Sequence, residues 1–117
     1  MPPLVVAQLS LVRVSDVEPT LASAVRRHVE SQLGALRMCS EKMIKVSPGQ
    51  GTVVVKLTVR GGRISALTVD SPVWDSRMRW CFRKQLMGLW VGHHGLTDGF
   101  DARLEFFLQS RTVRFGR

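Results

Sequence analysis

The chain has 117 residues, 44% of them hydrophobic and 22% charged, with 10 glycines and 5 prolines scattered along it. That suffices for one small domain with its own core, residues 1–117, and excludes a second domain, a disordered chain and a collagen-like repeat. Seventeen Lys and Arg against nine Asp and Glu give a net charge of +8, which favours anionic partners such as nucleic acid, acidic proteins or envelope polymers without choosing among them.

No apolar run reaches the roughly 18 residues of a membrane span, so no membrane span is expected in this chain. The opening Met1-Pro2-Pro3-Leu4-Val5-Val6 lacks the basic start and long apolar stretch of a signal peptide. The expected location is therefore cytoplasmic if the chain is complete, and periplasmic or cell envelope if it is excised from a longer exported protein.

In chain order, Val5, Ala7, Leu9 and Leu11 alternate with Val6, Gln8, Ser10 and Val12, which predicts a first strand closed by Ser15-Asp16. Glu18-Pro19-Thr20 has the acid and proline of a first helical turn. Leu21, Val25, Val29, Leu33, Leu36 and Met43 follow at helical spacing, predicting one helix of about 25 residues. Its other face pairs Arg26 with Glu30 and Arg37 with Glu41 at i,i+4. Pro48-Gly49-Gln50-Gly51 breaks the helix, and Val53, Val55, Leu57 and Val59 alternate along a second strand over 52–59. Gly61-Gly62 supplies a two-residue turn at positive φ, returning the chain as an antiparallel strand, Ile64 to Val69.

Asp75 can cap a second helix in which Met78, Cys81, Phe82, Leu86 and Leu89 share a face. Gly92-His93-His94-Gly95 reads as a loop, and Ala102, Leu104, Phe106 and Leu108 alternate along a last strand. A short basic tail over 109–117 carries Arg111, Arg114 and Arg117. The order is β-α-β-β-α-β. The class is α+β, a small mostly antiparallel sheet with both helices on one face.

From about Leu21 to Leu108 the chain resembles the AgmX/PglI C-terminal domains, TonB-like modules of myxobacterial gliding-motility and envelope proteins. The residues carrying the resemblance are Val25-Arg26-Arg27-His28, Cys39-Ser40-Glu41 and Gly51-Thr52-Val53-Val54-Val55, then Gly61-Gly62-Arg63-Ile64, Val69-Asp70-Ser71, Cys81 and Leu89-Trp90. Ser40 stands where the family has Tyr, and Leu104-Glu105-Phe106-Phe107 replaces a Tyr-Pro-Phe ending, which marks a divergent member. The resemblance implies a TonB C-terminal-like fold and a non-enzymatic adaptor that docks envelope or motility proteins.

Cys39 and Cys81 lie on or beside the apolar faces of the two helices, where they form a disulfide or pack as two free thiols. The family's paired cysteines favour the bond. Two cysteines are too few for a cysteine zinc site, and His93-His94 with Asp98 and Asp101 reads as a solvated loop, so no metal or cofactor is expected. With no nucleophile elbow, phosphate loop or paired-carboxylate motif, no enzyme is expected.

Partner binding is expected on the outer side of the second helix, where Trp80 and Met87 lie off the core stripe among Arg79, Arg83 and Lys84. The plainer reading of Trp80 is packing against a loop or the first strand. A partner or a second copy is expected to add a strand at the first or last strand as the sheet edge, with Trp80 and Arg83 as an accessory surface. The competing reading is a small basic nucleic-acid-binding domain, drawn by Arg77, Arg79, Arg83, Lys84 and the tail arginines. The strands lack the interleaved aromatics of a base-stacking platform.

Overall fold

Alternation at Val53, Val55, Leu57 and Val59 puts four aliphatic side chains on one side of an extended chain, and all four are buried. The structure, a computed structural model, describes residues 4–44, 50–70, 76–91 and 99–113. Its elements run β1 (Leu4–Ser15), α1 (Pro19–Glu30), α2 (Leu33–Ile44), β2 (Gln50–Arg60), β3 (Arg63–Asp70), α3 (Ser76–Leu86) and β4 (Phe100–Val113). The class is α+β. All strand pairs are antiparallel, in the order β1-β4-β2-β3.

One core lies between the sheet and the helices. Leu11, Leu104, Phe106, Leu108 and the β2 aliphatics meet Val25 and Val29 of α1, Leu36 of α2, and Met78, Phe82 and Leu86 of α3. Phe82 and Phe106 meet edge to face at the centre, with ring centroids 5.8 Å apart. All three helices therefore cover one sheet face, and Lys56, Thr58, Asp101 and Arg103 lie on the other. No described helix is long and apolar enough to cross a membrane.

Three expectations need correction. The single long helix is two helices, broken at Ser31-Gln32, where the Gln32 N–H donates to Val29 at 2.9 Å in a tightened turn before Leu36 N–H resumes helical bonding to Gln32. Serine there competes for helical carbonyls, and so short a break leaves the apolar periodicity almost undisturbed. The last strand is not an edge: β4 runs between β1 and β2, and the edges are β1 and β3. The supposed tail begins inside β4, because Gln109 pairs with both Gln8 and Gln50, and the strand continues to Val113 against Leu4.

Both edge strands carry a bulge. The β2–β3 register shifts between Thr58 and Val59, so the core-facing positions of β3 jump from Ile64 to Leu67. The β1–β4 register shifts between Leu11 and Arg13 and leaves Val12 exposed. The hairpin at Gly61-Gly62 has φ of 59° and 78°, the left-handed conformation expected of that pair.

Candidate functional site

A sheet edge presents main-chain N–H and C=O groups that another strand can pair, so the site is built from what covers each edge. On β1 the cover is Arg26 of α1. Its Nη1 donates to the Leu11 carbonyl at 3.0 Å and its Nη2 to the Val12 carbonyl at 3.1 Å, both beside the bulge. Glu30, one turn on, holds the same guanidinium at 3.0 Å. Three contacts thus fix one side chain across the middle of that edge.

The start of β3 is sealed by the chain leaving α3. Gly88, at φ 80°, ends the helix and turns the backbone along the strand. The Gly88 N–H then donates to Ile64 at 2.9 Å, the Ile64 N–H to Leu89 at 3.0 Å, and the Val91 N–H to Gly62 at 2.8 Å. The Trp90 ring packs against Gly62, where a Cβ would come 2.4 Å from it, and the Arg63 guanidinium stands 5.5 Å from the ring centroid.

The rest of β3 is different. Antiparallel strands turn alternate residues outward, and the one described contact on this stretch is Arg83 Nη1 donating to the Leu67 carbonyl at 3.5 Å, the long end of hydrogen-bond distance. The main-chain groups of Leu67 and, two residues on, Val69 therefore face outward, and no described main-chain group pairs with them. Between this edge and α3 runs a groove of about 260 Å³ lined by Leu67, Thr68, Val69, Arg79, Trp80 and Arg83.

The structure brings most of the expected partner-binding residues together there. Trp80 is 63% exposed, and Lys84 Nζ stands 5.1 Å from its ring centroid. Arg79 and Arg83 flank the ring along the groove. Trp80 thus lies beside β3, not against the first strand. Met87 does not belong to this surface: it is half-buried and packs against the core, because the turn after Leu86 folds it back toward the sheet. Leu89, expected on the helix face, lies beyond the helix end in the strip that seals β3.

Cys39 of α2 and Cys81 of α3 form a disulfide, with Cα atoms 5.9 Å apart, inside the range the bond requires. It clamps the helix carrying Trp80 and Arg83 to the helix lying over β1. The expected helix cap Asp75, the loop residues His93, His94 and Asp98, and Arg114 and Arg117 lie outside the described residues. Asp101 is in β4 and accepts a hydrogen bond from Thr58 Oγ1 at 2.6 Å.

Leu67 was not singled out by sequence, and Arg26 and Trp90 were named there only for a surface ion pair and for the family resemblance, not as cover for a sheet edge. The i,i+4 spacing of Arg26 and Glu30 signals only a surface pair, and nothing local marks Trp90 as the residue that closes on Gly62. No family model, curated protein or solved structure matches the chain.

Proposed function

We propose that this domain is a non-enzymatic protein-interaction module of a cell-envelope or motility assembly, which docks its partner by adding a strand to the outer half of β3. The observation that carries the reading is the edge at Leu67 and Val69, which no described main-chain group pairs, beside an exposed Trp80 flanked by arginines. Main-chain pairing supplies affinity in such docking, and neighbouring side chains supply selectivity. The Cys39–Cys81 disulfide supports an oxidising compartment, and the resemblance to envelope domains points the same way. The partner is a motility or envelope protein, or a second copy of this chain.

The net charge of +8 favours a second reading, nucleic-acid binding. Salt separates the two. Phosphate contacts lose affinity steeply as salt rises, about 10³-fold or more between 50 and 200 mM for six to ten contacts, whereas strand addition, held mainly by main-chain pairing with few charged contacts, weakens far less. Binding of the purified domain to single-stranded oligonucleotides and to purified envelope-protein segments is measured across that range. Salt-tolerant binding to one protein, weakened by Trp80→Ala and by Arg83→Glu, supports the module. Steeply salt-dependent binding to every polyanion, with no protein bound, contradicts it.

A further inference from the structure

Resting on that docking reading, we infer that the strand admitted at β3 carries carboxylates at alternate positions, and that Arg83 selects for it by exchanging the Leu67 carbonyl for a carboxylate. An added strand turns every second side chain toward the helix-covered face of the sheet. On that side it meets Arg79, Trp80 and Arg83 along the groove, with Lys84 against the Trp80 ring. Among the described residues the groove lining contains no acidic residue. Nor does α3: its sequence, SRMRWCFRKQL, carries four basic residues and no Asp or Glu. Charge complementarity therefore favours a strand with acids two residues apart.

Arg83 occupies the position such a strand needs. The Leu67 carbonyl must pair with an incoming N–H, so the guanidinium has to leave it. The 3.5 Å contact is long, and no described carboxylate holds the side chain back, unlike Arg26 with its Glu30. Arg83 also lines two openings, the groove and a larger trough of about 370 Å³ on the open sheet face, so it has room to swing. A neutral strand displaces the guanidinium and offers at most an uncharged acceptor in return. An acidic strand offers a charge-assisted, two-pronged hydrogen bond. Arg83 thus acts as a gate that closes the edge to neutral strands and admits acidic ones.

Fluorescence anisotropy with three end-blocked octapeptides tests this: alternating Glu and Thr, alternating Gln and Thr, and the Glu–Thr sequence N-methylated at alternate residues so that one edge cannot donate. The expected result is at least tenfold tighter binding of the Glu–Thr peptide than of the Gln–Thr peptide, and at least tenfold loss on N-methylation. In Arg83→Ala and Arg83→Gln, checked for an unchanged melting midpoint, the Glu–Thr peptide weakens, the Gln–Thr peptide binds as well or better, and the ratio falls to about two or less. Equal binding of the acidic and neutral peptides, with N-methylation still costing tenfold, overturns the acidic selectivity and leaves the docking reading standing. A selectivity ratio that survives both Arg83 variants overturns the gate. Tight binding of the N-methylated peptide, or no binding by any peptide, overturns strand addition at β3 itself.

Discussion

The two edges of this sheet are both covered by an arginine from a helix, and they are covered differently. Arg26 spans two consecutive carbonyls of β1 at 3.0 and 3.1 Å and is tied to Glu30. Arg83 reaches one carbonyl of β3 at 3.5 Å. Charged side chains on an edge guard against unwanted pairing, but a guard with three short contacts is a lock and a guard with one long contact is displaceable. The difference lies in the partners, not in the residue type: a carboxylate one turn away makes Arg26 part of the structure, and its absence from α3 leaves Arg83 available to a ligand.

The largest perturbation of this contrast is removal of the disulfide. Closing a 42-residue separation is worth about 4 kcal/mol in the chain-entropy description. Cys81→Ser, or reduction, is expected to lower stability by about 2–5 kcal/mol in denaturant melts. Because the bond anchors α3, amide exchange should accelerate over Met78–Leu86 and at Thr68, whose main chain pairs with β2, more than at Ser10, whose main chain pairs with β4.

Gly62→Ala attacks the sealed part of β3. Its φ of 78° and the 2.4 Å approach to the Trp90 ring leave no place for a Cβ, so a loss of about 1–3 kcal/mol is expected. Exchange should rise at Ile64 and Val91, whose N–H groups make the seal. Replacing Trp90 by Ala in the same chain should recover part of the loss, since the steric component then disappears.

Arg26→Ala removes two hydrogen bonds to main-chain carbonyls and is expected to cost about 1–2 kcal/mol. Sedimentation should then show self-association that the parent lacks, as an unguarded β1 edge can pair with another copy. Arg83→Ala and Trp80→Ala sit at the small end, within about 0.5 kcal/mol in melts, because both side chains are exposed and neither supports the core. A stability loss for Arg83→Ala equal to that for Arg26→Ala would erase the distinction between lock and gate.

Much of the architecture was legible in sequence because the signals are local. Val53 to Val59 alternate, Gly61-Gly62 demand positive φ, and Met78, Phe82 and Leu86 repeat at helical spacing. The break at Ser31-Gln32 was hidden because Leu33 and Leu36 remain near the stripe set by Leu21, Val25 and Val29. Strand order was not legible, since alternation says which face a strand buries and nothing about its neighbours; hence the first or last strand was expected at the edge, and β1 lies there whereas β4 lies inside. The site was half legible. Trp80 among Arg79, Arg83 and Lys84 shows on one helix, whereas the β3 edge beside them, and the turn of Met87 toward the core, depend on how α3 is laid against the sheet.

The contrast between the edges is tested most directly by titrating the isotope-labelled domain with the alternating Glu–Thr octapeptide and following every main-chain amide and the Trp80 indole N–H by NMR. Shifts and slowed exchange concentrated at Leu67, Val69 and Trp80, with Leu9 and Leu11 unmoved, are the predicted result. Perturbation centred on Leu9 and Leu11, or spread over basic residues without slowed exchange on either edge, would contradict it.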